Sequence, residues 1–439
     1  MARKRNLLIL VAILLVLIIA TVIVLNLNNK TEQIKTLGEV VQKFDKDDAT
    51  EFSFTYGSKS YSFYKEDDKW IMDGDENFPV DSDEINVLLG YVEEVSATFI
   101  IEGDDNYADY GLKKPNCTVN VKCGDDEYSV SFGGYSSMDE QRYVSIGDGN
   151  AYLVSKDVMS YFNITDDDII KLDGTHSKSE VEEFTISGEN TIDIVYKEEA
   201  GYCYSDEYTY YIKSGSKYTY IDNDSADSLI SLLLDSDFKD YVSYKAETEN
   251  KNYGLDDPAL TINCKYLDKK TNEQELTAYI GVSGSNYYLR FDGSELIYKI
   301  DSDTYDEFIN ASYETLKPDE VVLLDWDKVK ALDITLDGAD YHIDIEDSKY
   351  TLDGEEVDFD DVTDEIDSLK ITDTTEETST KKMVTIKFTL DNENFSNVTV
   401  VIYTLNGESS IVTLNGTVLG LIDRTDAVSL TEAINKVVL

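Results

Sequence analysis

Histidine is almost absent from this chain: His176 and His342 are the only two in 439 residues. Zinc sites draw three or four ligands from His and Cys, and neither a His-Glu-x-x-His helix nor a Cys-x-x-Cys pair occurs, which argues against a zinc centre. Cysteine is also scarce, and Cys117, Cys123, Cys203 and Cys264 are too few for a disulfide scaffold. Cys117 and Cys123 fall in one expected strand, about 20 Å apart when extended, too far to bond. Free buried thiols are expected, with Cys203 open to pairing in an oxidising compartment. Four prolines in the whole chain leave no stiff proline linker. Positive charge is short as well: 38 Lys and Arg stand against 89 Asp and Glu, for a formal net charge of −51. Such a surface repels polyanions, which excludes nucleic acid as a partner and favours divalent cations or basic proteins. The acidity is read first as solubility.

What the chain does have is apolar and aromatic substance. Hydrophobic residues make up 41% and aromatic residues 11%, with 32 tyrosines among them, enough to pack domains rather than leave a disordered acidic tail. Leu7 to Leu25 run for nineteen residues without a charge, about 28 Å as a helix and so close to the thickness of a bilayer core. Arg3, Lys4 and Arg5 precede the run. The positive-inside rule then expects a cytoplasmic N-terminus, a single-pass anchor in the cell membrane and an extracytoplasmic bulk. A cleaved signal peptide fits less well, because Ala20 is followed by Thr21-Val22-Ile23-Val24 instead of a small-residue cleavage site.

The chain also repeats itself. Tyr110-Gly111-Leu112-Lys113-Lys114-Pro115 returns 143 residues later as Tyr253-Gly254-Leu255-Asp256-Asp257-Pro258. Each copy leads into an alternating strand, Cys117-Thr118-Val119-Asn120-Val121 and Leu260-Thr261-Ile262-Asn263-Cys264. Upstream, Lys69-Trp70, Lys217-Tyr218 and Lys349-Tyr350 close strand-rich stretches before a short amphipathic helix. Its stripe is Ile85, Leu88, Leu89, Val92 and Val95 in the first unit, Ala226, Leu229, Ile230 and Leu233 in the second, and Val362, Ile366 and Leu369 in the third. Downstream, Tyr143–Val154, Tyr288–Ile300 and Ile411–Ile422 read as hairpins, each followed by a helix marked by Met159 and Phe162, by Tyr305, Phe308 and Ile309, or by Ala433, Ile434 and Val437. Ser429 and Glu432 suggest a capping box for the last of these.

The fold expected is α+β: one N-terminal transmembrane helix, then three related units of mainly antiparallel sheet with short amphipathic helices. The divisions are 1–30 for tip and anchor, 31–47 for a linker, 48–172 and 173–318 for two units, and 319–439 for a third, divergent one. The third lacks the Tyr-Gly-Leu motif and carries the polar stretch Thr374–Lys382 in its place.

With its N-terminal anchor, Trp70 near a helix led by Pro79, the Tyr-Gly-Leu-x-x-Pro turns and the closing hairpin and helix, the chain resembles the bacterial domain-of-unknown-function 4340 family, over about residues 48 to 318. The resemblance implies a membrane-tethered protein, accessory to an ABC-type transporter or an envelope complex, with no enzyme activity. The motif residues Tyr110, Gly111, Leu112, Pro115, Tyr253, Gly254, Leu255 and Pro258 are expected to be structural.

Other candidates for chemistry are weak. Ser214-Gly-Ser-Lys217 and Ser379-Thr-Lys-Lys382 match Ser-x-x-Lys, but the Ser-Asp-Asn and Lys-Thr-Gly companions are missing. Carboxylates cluster at Asp166–Asp168, Asp222–Asp224, Asp301–Asp303 and Asp358–Asp361. None fits an EF-hand, and helix capping accounts for most of them, which leaves weak Ca²⁺ binding open. No catalytic, cofactor or metal residue is assigned. A non-catalytic binding or scaffold protein is the expectation. Two alternatives stay open: an envelope enzyme acting on cell-wall glycans by paired carboxylates, and a calcium-dependent adhesion or spacer protein.

Overall fold

The computed structural model describes Thr21 and residues 33–103, 108–198 and 201–439. The expected anchor therefore lies, apart from Thr21, outside the described residues. Among the described residues no helix is long and apolar enough to cross a membrane. By internal contacts the chain divides into two compact units, Met1–Leu172 and Asp173–Leu439.

The first unit holds a nine-stranded sheet made of β1 (Gln33–Lys43), β2 (Ala49–Tyr56), β3 (Lys59–Glu66), β4 (Lys69–Met72), β5 (Glu94–Glu102), β6 (Cys117–Cys123), β7 (Asp126–Ser136), β8 (Gln141–Ser145) and β9 (Ala151–Val154), in the order β1-β5-β9-β8-β7-β6-β2-β3-β4. The second unit holds two sheets. One comprises β10 (Lys178–Ser187), β11 (Thr191–Tyr196), β12 (Tyr210–Ser214), β13 (Lys217–Tyr220), β14 (Tyr241–Ser243), β15 (Leu260–Asp268), β16 (Glu273–Ser283), β17 (Asn286–Phe291) and β18 (Ile297–Ile300), ordered β13-β12-β11-β10-β15-β16-β17-β18-β14. The other comprises β19 (Val329–Leu336), β20 (Ala339–Glu346), β21 (Lys349–Leu352), β22 (Glu355–Val357), β23 (Lys382–Leu390), β24 (Asn397–Thr404), β25 (Ser409–Leu414) and β26 (Thr417–Asp423), ordered β22-β21-β20-β19-β23-β24-β25-β26. The pairings at the centre of each sheet are antiparallel.

Tight turns join neighbouring strands. Asp67-Asp68, Asp337-Gly338, Asp347-Ser348, Asp353-Gly354 and Asn415-Gly416 all take positive φ at both positions, the geometry that matches the twist of a two-residue hairpin. Strand alternation then gives each sheet one apolar face. In the first sheet Phe52, Phe54, Phe63 and Trp70 are buried on it, beneath the helix Ser82–Val92 with Ile85, Leu88, Leu89 and Val92. Trp70 Nε1 donates to Asn86 Oδ1 at 3.0 Å, which fixes the ring under the helix. In the second sheet the helix Asn223–Leu234 buries Ala226, Leu229, Ile230, Leu233 and Leu234. In the third, Asp360–Asp367 contributes Val362 and Ile366, and the long helix Arg424–Val438 contributes Ala427, Leu430, Ala433 and Ile434.

Several details correct the sequence reading. Residues 33–43, read within a linker, form β1, paired with β5 at Val40 opposite Ser96 and Lys43 opposite Glu94. Val95 continues the helical stripe on paper but sits in β5, because the helix ends at Val92. Met159–Phe162 makes a single 3₁₀ turn. Leu369 lies beyond its helix yet is buried. The last helix starts at Arg424 after Asp423, so Ser429 and Glu432 are mid-helix and form no capping box.

The third sheet stops where the others continue. Beyond β9 the first sheet has β5 and β1, and beyond β18 the second has β14. Among the described residues, only one bridge lies beside β26, in which Leu421 N donates to Asp373 O and Thr372 N to Leu421 O, each at 2.8 Å. This is the segment where the Tyr-Gly-Leu motif is missing.

Candidate functional site

The motif residues do a job of close packing. Gly111 and Gly254 both have φ +71, the left-handed conformation that ends a helical turn. Each turn lies against a glycine in the neighbouring sheet: a Cβ on Gly133 would fall 2.3 Å from Tyr110 O, and one on Gly281 2.4 Å from Tyr253 O. No side chain fits there. Gly134 N donates to Tyr110 O at 2.7 Å, which pins the first turn to β7. The tyrosines cover the hairpins in the same way, with Tyr110 and Tyr143 ring centroids 4.7 Å apart and Tyr253 and Tyr288 4.8 Å apart. Leu112 and Leu255 are buried beneath them. Pro115 and Pro258 lead the chain toward β6 and β15.

The opposite faces of the sheets are polar and open. Asn120 in β6 lies opposite Ser53 and Ser129, Asn263 in β15 opposite Thr185 and Thr277, and Lys387 in β23 opposite Asp333 and Thr399. The first two positions carry the same bond: Ser129 Oγ donates to Asn120 Oδ1 and Thr277 Oγ1 to Asn263 Oδ1, each at 2.9 Å. In the third sheet an ion pair takes its place, Lys387 Nζ to Asp333 at 3.5 Å. Over the first row the twisted sheet forms a hollow of about 390 Å³ lined by Ser53, Ser62, Asn120, Lys122, Glu127 and Ser129 among others. On the same face of the second sheet a hollow of about 560 Å³ is lined by Glu180, Glu183, Lys197, Tyr202, Lys213 and Lys265 among others. Lys265 pairs with Glu183 at 3.2 Å and Lys213 with Asp193 at 3.7 Å. The Lys197 ammonium stands over the Tyr202 and Tyr218 rings at 5.8 and 5.7 Å, a cation held by aromatic faces. Asn120 and Asn263 stand 143 residues apart in matching strands, a signal present in the sequence but unused there.

The segment between β11 and β12 also escaped the sequence reading. Its Cys203, Tyr204 and Tyr208, with Tyr211 of β12, enter one continuous core with Leu332, Ile334, Phe388 and Val400 of the third sheet. Tyr204 Oη accepts from Leu323 N at 3.2 Å, Asn392 Nδ2 donates to Cys203 O at 3.3 Å, and Lys328 pairs with Asp206. Tyr208 stacks on Tyr220 at 4.5 Å. Burial pushes the Tyr204 hydroxyl up to about 12, and pushes Tyr208 and Tyr211 up as well. These tyrosines stay neutral and serve as hydrogen-bonding core residues.

The remaining candidates fall into structural roles. Cys117, Cys123, Cys203 and Cys264 are free, and burial pushes the Cys117 and Cys264 thiols up to about 12, which suppresses the thiolate. Ser214 and Lys217 face each other across the β12–β13 turn. Ser379 Oγ donates to Thr404 O at 2.7 Å, a loop-fixing bond. Asp81, Asp222 and Asp301 cap helices by accepting from Asp83 N, Ser225 N and Thr304 N, and Asp168 Oδ2 accepts from Thr165 N at 2.7 Å. Among the described residues no group of three or more His, Cys, Asp or Glu is arranged to hold a metal ion. His176 packs on Phe291 with ring centroids 4.7 Å apart, and burial lowers its pKa. His342 is exposed and bonded to Asp333 at 2.7 Å and Asp344 at 3.1 Å, which raises its pKa. Two carboxyls sit above their ordinary range through burial. Glu320 lines a cavity of about 160 Å³ with Tyr220 and Tyr313, and Asp367 accepts from Trp326 Nε1 at 2.9 Å.

Comparison with known families decides what the repeats are. The model described as "Domain of unknown function (DUF4340)" matches twice, over residues 70–242 and 211–392, together more than half of the chain. The chain belongs to this family. Each DUF4340 match begins near the end of one sheet's first strand group and runs into the next sheet, so the sequence unit of the family and the sheet are out of phase. No curated protein and no solved structure matches the chain.

Proposed function

We propose that this DUF4340 protein is a membrane-anchored, extracytoplasmic, non-catalytic binding and scaffold protein whose sheets offer their polar faces to another component of the envelope or of an ABC-type transporter. The observation that carries the reading is the recurrence of the amide–hydroxyl pair, Asn120 with Ser129 and Asn263 with Thr277, at equivalent points of two solvent-facing sheets, each beside a hollow. A solvated sheet face needs only polar residues. The same cross-strand bond in two copies holds donors and acceptors in fixed positions, which lowers the ordering cost of binding. The net charge of −51 favours a partner with a basic rim.

The anchor is the run Leu7–Leu25 behind Arg3, Lys4 and Arg5. Photo-cross-linkers placed at Asn120 and Asn263 in the native membrane test the reading. Recovery of a transporter subunit or envelope protein from these positions, and not from Asp361 on a helix of the third sheet, supports it. Adducts that are absent, or equal from all three positions, would sink it.

A further inference from the structure

Among the described residues β26 is the outermost strand of the third sheet. Its stretch 417–419 lies across from residues 313–321, the chain that leads out of the second sheet. Between them is an open cleft of about 160 Å³, lined by Tyr220, Tyr313, Glu320, Ile371, Val418 and Leu419 among others. Pockets for free small molecules run to about 300–1,000 Å³, so this cleft has room for a single side chain. Two large side chains stand uncovered on its rim, Tyr313 at 40% and Val418 at 43% exposure. Tyr220 is held at the wall by stacking on Tyr208, with ring centroids 4.5 Å apart.

Glu320 is the one carboxylate of the cleft without a close cation. Burial, helped by neighbouring Asp319, holds its carboxyl above the ordinary range against the pull of Lys370. The two lysines nearby are committed to other acids. Lys317 pairs with Glu314 at 2.7 Å, and Lys370 bonds Asp319 at 3.1 Å. The Lys370 ammonium stays 3.9 Å from Glu320, beyond hydrogen-bond reach. A partly desolvated carboxylate beside aromatic rings therefore faces solvent with room for a donor.

We propose that this cleft receives one arginine side chain from a basic partner, with the guanidinium on Glu320 and its plane against the Tyr313 ring. A planar fork of N–H donors matches a carboxylate and stacks on aromatic faces. Its methylene stem suits the Val418 and Leu419 side of the cleft, and the net charge of −51 draws basic surfaces toward the chain. The cleft lies apart from the outer polar faces and rests on the reading above only for the expectation of a basic partner. Titration with a single amino acid and cross-linking at Asn120 and Asn263 report on different surfaces, so either proposal can fail without the other.

The test uses the intact chain in phosphatidylcholine nanodiscs at about 150 mM NaCl. Acetyl-arginine amide, its uncharged citrulline analogue and acetyl-lysine amide are titrated and followed by saturation-transfer NMR against empty nanodiscs. Saturable binding of the arginine probe is expected, with the citrulline analogue about tenfold weaker because it keeps the shape and loses the charge. Glu320→Gln should weaken the arginine probe about tenfold for the same reason. Asp364→Asn removes an equal charge from an exposed helix position and should leave binding unchanged. Tyr313→Ala should weaken the probe about threefold. Its exposed ring makes it the second variant where Glu320→Gln disturbs the joint, and thermal unfolding checks both. Absence of saturable binding overturns the proposal, as does a folded Glu320→Gln that binds like the wild type. An equal loss in Asp364→Asn, which marks general attraction to an acidic surface, or a lysine probe as tight as the arginine one overturns it too.

Discussion

The carbonyl oxygen of Tyr253 occupies the space that a side chain on Gly281 would need, and a Cβ there would fall 2.4 Å from it. The first unit repeats the contact between Tyr110 and Gly133 at 2.3 Å. Gly281→Ala and Gly133→Ala must push backbone from backbone, and each is expected to cost more than about 2 kcal/mol in denaturant unfolding. Gly284→Ala is the control. It has positive φ but nothing within 4 Å of the added carbon, and should cost about 1 kcal/mol.

Tyr204→Phe removes the acceptor of Leu323 N and is expected to cost about 1–3 kcal/mol. Tyr208→Ala opens the shared core of the second and third sheets, with an expected loss of about 3–5 kcal/mol. The unfolding profile of residues 173–439 should then split into two transitions, where the wild type gives one. A single transition in Tyr208→Ala would mean that the sheets are coupled elsewhere.

The two histidines should pull stability in opposite directions with pH. His342 has a raised pKa through Asp333 and Asp344, so its contribution is present below the unfolded-state value near 6.5 and fades as pH rises through the higher folded value. His176 has a pKa lowered by burial, so its contribution is present above the unfolded value and is lost as pH falls. Tm measured from about pH 5 to 8 should flatten on the alkaline side in His342→Asn and on the acid side in His176→Phe.

Self-repulsion at a net charge of −51 should be screened by salt. Tm is expected to rise as NaCl goes from about 10 to 150 mM. Because Asp81, Asp222 and Asp301 are engaged at helix ends, Ca²⁺ and Mg²⁺ at equal concentration should give equal shifts. A larger shift with Ca²⁺ would reveal a carboxylate site.

Much of the architecture was legible because it is local. Alternation in Cys117–Val121 and Leu260–Cys264, stripes such as Ala226-Leu229-Ile230-Leu233, and glycine turns follow from periods of two and three to four. The third copy was found through its hairpin and helix without its turn motif. What escaped depends on partners distant in sequence. Nothing around Gly133 announces that Tyr110 will lie against it, and nothing in Gly201–Thr209 says that its tyrosines enter the core of another sheet. The outer rows were visible as Asn120 and Asn263, but a polar residue on an alternating strand is ordinary until its cross-strand partner is known. Val95 misled because a stripe of period 3.6 runs into a strand without a break, and β1 was missed because polar residues flank it in the expected linker.

Held by the anchor proposed above, the chain would feel tension whenever its other contacts move. The tyrosines between β11 and β12 join the second and third sheets through buried rings and the amide of Leu323, so pulling on either sheet loads both. Stretched in a force spectrometer, residues 173–439 should yield in one tall rupture rather than two low ones. A protein built so would act as a stiff arm over that length, passing displacement along instead of absorbing it.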